Sequence, residues 1–466
     1  MQIPILSGAY TDNAVDFRVQ YPLNLIPVAT AQGISNGYLR PADGLVSAGT
    51  GPGVDRGGIN WNGLHMRVMG TSLVQISEAG AVTTIGTIPG TDRVIFTYSF
   101  DYLAINGNSQ LYLYDGTTLA QVTDPDLGTV VDVTWIDGYF MTTDGESLVI
   151  TELNNPFAVD PLKYGSSEVD PDPVEGLLKI RNEIYALNRY TVEVFDNVGT
   201  SGFPFERISG AQLQRGCMGR NAKAVFLEQC AFVGGGRNES PAVWLGANGN
   251  TQKLSTREID LILQEYTESQ LSAVFMETRV DASYQQLLIH LPDQTLVYDA
   301  AASAALGQPV WFILSTSLTG LGSWRSTALV YVFDRWWTGD KASSTFGHLT
   351  DTISSHWGQR IGWSFQTGIL YNEGRGAIIH ELELVALTGR VALGQDPRIS
   401  TTYSVDGMSY SQPKWVKAGK IGDRSQRLVW LQQGAMRNWR LQRFHGTSDA
   451  YASFARLEAR LEGLNF

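Results

Sequence analysis

A unit of strand, glycine-containing turn, strand, second turn and strand recurs along the N-terminal three quarters of the chain. INWNGLHMRVMGTSLVQI, from Ile59, aligns with VTWIDGYFMTTDGESLVI, from Val133. Trp61 then matches Trp135, Gly63 nearly matches Gly138, and Leu73 matches Leu148. FTYSFDYLAINGNSQLYLYDG, from Phe96, lies between them with the same rhythm. Its first turn falls at Phe100-Asp101 and its second at Asn106-Gly107-Asn108. Looser copies are LKIRNEIYALNRYTVEVF, FLEQCAFVGGGRNESPAVWLG, TRVDASYQQLLIHLPDQTLVYD and LVYVFDRWWTGDKASSTFGHL. Their spacing, roughly 37 to 52 residues, is that of propeller blades.

One such unit is a small antiparallel sheet with two apolar faces, which it cannot bury alone. Stacking the units around an axis covers each face with a neighbour. The stretch LLIHLPDQTLVYDAAASAALGQPVWFIL, residues 287 to 314, fits this plan. Leu287, Ile289 and Leu291 alternate onto one side, Pro292-Asp293 turns the chain, and Leu296 and Tyr298 alternate on the return. A small-residue loop then leads to a strand holding Trp311. The expected fold is all-β: a β-propeller of six or seven blades, seven favoured. Two consecutive sandwiches are the alternative architecture.

One segment departs from this rhythm. STREIDLILQEYTES, from Ser255, places Ile259, Ile262, Leu263 and Tyr266 at helical spacing, with Ser255 and Glu258 as a capping box. A single amphipathic helix inserted between blades is expected there. After about residue 350 the pattern changes to longer alternating runs, with a turn at Asp406-Gly407, and this predicts a C-terminal β-sandwich or jelly roll. The closing FARLEARLEGLNF reads as strand or short helix. The expected division is an N-terminal arm with a possible propeller-closing strand over 1–45, the propeller over 46–350 and the sandwich over 351–466.

Composition supports packed β-domains: 43% of residues are hydrophobic, 17% are charged, and 49 are glycine. The net charge of −12 argues against a general nucleic-acid-binding field. Between Lys414 and Arg460, however, ten Lys or Arg face three Asp or Glu, a local balance of +7. Arg437, Arg440 and Arg443 are the candidate basic contact surface in this region. Cys217 and Cys230 have neither metal nor CxxC spacing, so a disulfide framework is not expected. The opening MQIPILSGAYTDNAVDF lacks the pattern of a signal peptide, and no apolar run approaches a membrane span, so the chain is expected to be soluble when made.

Motifs that carry chemistry are scarce. The six histidines (His65, His290, His348, His356, His380 and His445) show no zinc-ligand spacing. No nucleophile elbow or Walker loop occurs, and VGGGRNES reads as a hairpin corner. TYSVDGMSYS, with Ser404, Asp406, Gly407 and Tyr410, and TTDGES, with Asp144 and Gly145, approach the Asp-containing hairpin box of glycosidase propellers. That box only folds a turn. Asp132, Asp137, Asp293 and Asp334 form no evident catalytic pair. No enzyme, cofactor or metal is expected. A glycan-binding or glycan-cleaving propeller is the competing class: tryptophans such as Trp336-Trp337 could stack on sugars, although filling blade cores is the commoner use, and Trp363 and Trp439 could do so if a sandwich exposes them.

REIDLILQEYTESQLSAVFMETRVDASYQQLLIHLPDQTLVYDA, residues 257 to 300, resembles the tail hub, or packaged-DNA stabilisation, proteins of short-tailed bacteriophages. The likeness rests on Met276, Glu277, Thr278, Asp281, His290, Leu291, Pro292, Tyr298 and Asp299. YPLNLIPVATAQGISNGYLRPADGL agrees through Asn24, Leu25, Gly37, Tyr38, Leu39 and Arg40. The resemblance implies a structural virion protein that forms a cyclic oligomer, a hexamer, beneath the portal–adaptor proteins. It further implies help in closing the DNA channel, and attachment sites for the tail needle or plug and the tailspikes. Packaged DNA would lie nearby without sequence-specific binding. Assembly in the bacterial host cytoplasm and final residence in the virion tail follow from the same likeness.

Overall fold

Strand alternation decides which neighbour each side chain meets. In Leu103–Gly107, Leu103 and Ile105 pack toward the preceding sheet, and Ala104 packs toward the following one. In the paired Gln110–Tyr114, Tyr112 and Tyr114 face the first of these and Leu111 and Leu113 the second. Both faces of one sheet are thus buried by different partners. The same split occurs in Gln285–His290, where Leu287 and Ile289 join one apolar cluster and Leu288 another.

The computed structural model describes residues 2–3, 5, 20–30, 34–281, 284–372 and 375–464. Seven successive antiparallel sheets occupy 55–87, 95–121, 132–166, 174–207, 216–253, 275–314 and 326–350. The last contributes only three local strands and takes Gly44–Thr50 as its fourth, paired with Thr345–Thr350. Gly347 makes this approach possible, since a Cβ there would lie 1.8 Å from the Val46 carbonyl oxygen. The innermost strands of consecutive sheets lie side by side, and Ser326–Val332 returns to Asp55–Trp61, so the propeller closes.

Buried polar groups stitch the seams. Arg67 forms a two-pronged ion pair with Asp55, at 2.8 Å on each arm, and donates to the carbonyls of Thr327 and Ala328 at 3.1 Å. That joins the first sheet to the seventh. The Asn106 amide donates to the Val131 carbonyl at 2.8 Å, and Asp132 accepts from the Leu177 N–H at 2.6 Å. Glu277 accepts from the Leu329 N–H at 2.6 Å, joining the sixth sheet to the seventh. Buried donors and acceptors are paired across boundaries that apolar contact alone would leave free to slide.

The sandwich consists of two sheets around Trp363, Phe365, Leu382, Phe444, Phe454 and Leu457. One sheet has the order Leu25–Ala29, Gly37–Pro41, Tyr451–Gly463, Ala377–Arg390, Leu428–Met436, with Gln2–Ile3 also beside Tyr451–Gly463. The other runs Gly362–Gln366, Trp439–Thr447, Arg398–Ser404, Lys414–Lys417, with Leu370–Tyr371 also pairing Trp439–Thr447. The closing segment is therefore strand as far as Gly463.

Several expectations need correction. Residues 25–41 supply two strands of the sandwich, and the N-terminal strand that joins the last propeller sheet, Gly44–Thr50, runs across position 45/46. The inserted helix is two helices, Arg257–Gln264 and Glu268–Ser272. Ser255 does not cap the first, because its hydroxyl is committed to the Val243 N–H and the Asp260 carboxylate. The capping box belongs instead to Thr267 and Gln270. The small-residue loop is also a helix, Ala300–Leu306, capped by Asp299 at 3.0 Å and ended by left-handed Gly307. Most of the opening segment read for a signal peptide lies outside the described residues, as do the last two residues of the closing strand's sequence.

Asn24 ties the two parts together. Its amide donates to the carbonyls of Ser315 at 2.9 Å and Gly362 at 2.7 Å, and its oxygen accepts from the Ser315 N–H at 2.9 Å. Its φ of 53° is one that glycine also adopts freely. Asn24→Gly keeps the backbone, removes three buried hydrogen bonds and is expected to lower stability by roughly 2–4 kcal/mol. An unchanged denaturant midpoint in this variant would show that the junction does not depend on them.

Candidate functional site

The residues singled out in the sequence fall into two clusters. At the junction, Arg40 from Gly37–Pro41 pairs with Asp43 and donates to the Tyr284 hydroxyl. Asp43 also pairs with Arg279 at 2.6 Å, and Arg279 reaches Asp281 at 3.3 Å. Two stretches more than two hundred residues apart thus meet in one ionic network between sandwich and propeller. Leu25 and Leu39 lie beneath it in the sandwich core, while Gly37 and Tyr38 pair in register with Ala29 and Val28.

The second cluster lies inside the propeller. The Lys341 ammonium donates to His290 Nδ1 at 2.8 Å, and His290 Nε2–H donates to Glu277 Oε1 at 2.7 Å. That order fixes His290 as the neutral Nε2–H tautomer. Phe275 and Trp324 stack on either side of the imidazole, with centroids at 4.6 and 5.7 Å. Burial, reinforced by the Lys341 charge, pushes His290 down to about 4. Burial also pushes Lys341 down to about 7. Met276 fills the neighbouring core, and Thr278 sits half-buried opposite Leu287. Leu291 and Pro292 form the hairpin, Tyr298 packs on Trp311 at 5.2 Å, and Asp299 is a helix cap. The sequence reading missed Asp43, Arg279, Arg93 and Lys341. Arg67, between Met66 and Val68, did carry a signal: a charge within an apolar strand.

The expected basic contact surface is corrected. Neighbouring residues of a strand face opposite sides, so Arg440 and Arg443, three apart in Trp439–Thr447, cannot share a face. Arg440 is fully buried, donating to the Gln433 carbonyl at 2.6 Å and lying 3.9 Å over the Tyr403 ring. Arg443 is half-buried over Tyr410 at 3.7 Å, and Arg437 is exposed in the connection before this strand.

The remaining chemical candidates have structural placements. Asp406 accepts from the N–H groups of Met408 and Ser409, and Asp144 accepts from those of Glu146 and Ser147, so each folds a turn. Asp132 is buried at a seam beside Lys223, Asp137 and Asp334 occupy left-handed turn positions, and Asp293 accepts from the Tyr266 hydroxyl. Trp337 and Trp363 are buried in cores. Cys217 and Cys230 are buried free thiols. Among the described residues, no group of three His, Cys, Asp or Glu is arranged to hold a metal.

Two outcomes are expected. Arg440→Glu should prevent the sandwich from folding, because it buries an unpaired anion, whereas Arg437→Glu should stay within about 0.5 kcal/mol of the parent in chemical denaturation. Acidification from pH 6.5 toward 4 should destabilise the protein. His290, and His356 held near 3 by burial beside Arg325, take up protons in the unfolded chain first. Each contributes a slope approaching 1.4 kcal/mol per pH unit in that window. Lys341 adds the same sign between about 7 and its ordinary value, with stability rising with pH. Urea midpoints measured across these ranges check the slope, and His290→Gln should flatten the acid limb.

Two family descriptions match this architecture in order: "Bacteriophage P22 Gp10, beta-propeller" over residues 1–354 and "Bacteriophage P22 Gp10, beta-sandwich" over residues 362–462. A curated relative, "Tail hub protein gp10" of Salmonella phage P22, is 27% identical over 458 residues, covering 94% of each chain. Looser likenesses among solved structures include PorZ, a surface component of the type-IX secretion system of Porphyromonas gingivalis. Its TM-score is 0.40 at 11% identity, over 73% of this chain and 44% of that one. The Neurospora crassa Pan2 WD40 domain also scores 0.40 at 11% identity, over 64% of this chain and 90% of that one. At these scores neither structure carries weight. The two family matches do: the chain belongs to the Bacteriophage P22 Gp10 family, a β-propeller followed by a β-sandwich.

Proposed function

We propose that this protein is a structural tail hub of a short-tailed phage. The supporting observation is the relative named as a tail hub protein, which matches over nearly the whole length of both chains. In this reading the subunit assembles in the host cytoplasm as a cyclic oligomer, a hexamer, below the portal–adaptor proteins. It helps retain packaged DNA and offers attachment to the tail needle or plug and the tailspikes. The work is mechanical and needs no catalytic group.

A cyclic assembly repeats one pair of unlike patches. The chain has exposed apolar side chains in two regions that suit this role. One is on the second and third sheets, where Phe100, in the turn after the second sheet's innermost strand, is 85% exposed and Leu162, on the third sheet's outer strand Asn155–Ser166, is 86% exposed, with Tyr98, Leu153 and Tyr164 also exposed on these sheets. The other is the sandwich, with Leu387, Leu393, Met408, Trp415 and Leu431. The sandwich attaches beside the sixth and seventh sheets, so in ring order the two regions lie on opposite sides of the propeller. Such patches are costly in a lone monomer and favourable in an interface.

The double variant Phe100→Ser/Leu162→Glu is expected to fold as a monomer yet fail to form rings with portal–adaptor complex. Light scattering and negative-stain microscopy read the result. Rings of unchanged yield would exclude this face as the subunit contact. A parent protein that never joins the portal–adaptor complex would overturn the hub reading itself.

A further inference from the structure

Inside the propeller, residues of the first, sixth and seventh sheets, the connection that follows the first sheet and the end of the helix Glu268–Ser272 line a pocket of about 440 Å³. Arg93 and Lys341 both line it. The Arg93 guanidinium lies 3.2 Å over the Phe275 ring and donates to the Thr327 hydroxyl at 2.7 Å. The Lys341 ammonium donates to the neutral His290 ring. Among the described residues, no carboxylate pairs with either cation at ion-pair distance.

The nearby carboxylates are already engaged. Asp55 holds Arg67, Asp340 pairs with Arg325, and Glu277 accepts from His290 and Leu329. Arg56, also in the lining, spends its donors on the carbonyls of Gly70, Ile88, Pro89 and Asp92, and the Asp92 carboxylate nearby favours its charge. Arg93 and Lys341 therefore face the cavity with Glu277, held by the neutral His290 ring, as the nearby carboxylate not tied to a cation, while Asp55 and Asp340 are each spent on another arginine. Desolvated positive charge in this excess is unfavourable unless an anion joins it.

We propose that this cavity binds a small oxyanion, a phosphate or a carboxylate, held by Arg93 and Lys341. The guanidinium fork suits two oxygens of one group, and the ammonium supplies a point charge. Burial, which pushes Arg93 down to about 10 and Lys341 to about 7, is the cost that a bound anion would offset. The volume suits a small molecule or a single charged group rather than a duplex. The inference does not depend on the tail-hub reading.

The test is calorimetric titration of the full chain with inorganic phosphate, and separately with acetate, at ionic strength held constant with chloride. Saturable one-site binding of either anion, weakened at least tenfold by Arg93→Gln, supports the site. Response to both assigns a general oxyanion site, and response to one assigns its chemistry. Should Arg93→Gln lose its fold by circular dichroism, Lys341→Met carries the comparison, because burial already disfavours the charge it removes. No saturable heat with either anion, or equal affinity in the parent and the folded variants, overturns the proposal.

Discussion

Closure of the circle is the constraint on which the rest depends. Each sheet has two apolar faces, so an open stack would leave two of them in water. Six seams join segments close in sequence. The seam between the first and seventh sheets joins segments nearly three hundred residues apart and bears the entropy of that loop. Here the protein concentrates specific contacts: the fully buried Arg67–Asp55 pair, its bonds to two carbonyls of the seventh sheet, and the strand Gly44–Thr50. Gly339 belongs to the same design, since a Cβ there would lie 2.3 Å from the Asp55 carboxyl carbon. A buried ion pair adds little net stability, but breaking one partner leaves an uncompensated charge. Its effect is to penalise any other alignment of the two sheets.

The chain's path couples this closure to the second domain. It lays down Leu25–Ala29 and Gly37–Pro41 in the sandwich, then crosses within a few residues to Gly44–Thr50 in the propeller. Arg40 and Asp43 occupy that crossing and are met by Arg279, Asp281 and Tyr284 from the sixth sheet. Displacing the sandwich would therefore strain the strand that closes the ring. The residues that first suggested the family gather at this crossing and at the sixth sheet, where the two domains depend on each other.

Much of the fold was legible because a period of two is a strong signal over strands rich in Leu, Ile, Val and Tyr, and because Asn-Gly and Asp-Gly corners punctuate it. The repeat carried the propeller, and the Asp406 turn was read correctly as a turn. The failures have physical causes. Ala300–Leu306 has no apolar periodicity, and its helix rests on alanine propensity with the Asp299 cap and the Gly307 stop. The N-terminal strand Gly37–Pro41 pairs with Tyr451–Gly463, a non-local contact that no local pattern encodes. Charge counting placed Arg440 on a surface, whereas strand geometry turns it inward beneath Tyr403. Lys341 gave no sign at all, because its burial is created by the first, sixth and seventh sheets and the connection bearing Arg93, which converge from distant parts of the sequence.

The outer edges of the sheets differ in a way that bears on assembly. An edge strand offers unpaired N–H and C=O groups to any neighbouring chain. Leu119–Gln121 and Phe205–Arg207 are three residues each, and Asn250–Lys253 is four residues of polar character. Short, polar edges resist unwanted pairing. Asn155–Ser166 is twelve residues long and carries exposed Phe157, Leu162 and Tyr164. Register shifts where it pairs with Ser147–Glu152 bend it out of regular alignment. The Tyr102 ring of the second sheet braces Phe157 edge-on at 6.0 Å. A long apolar edge that is bent and braced is defended against indiscriminate strand addition while remaining open to a partner of matching shape, which is what a subunit contact in a closed assembly requires.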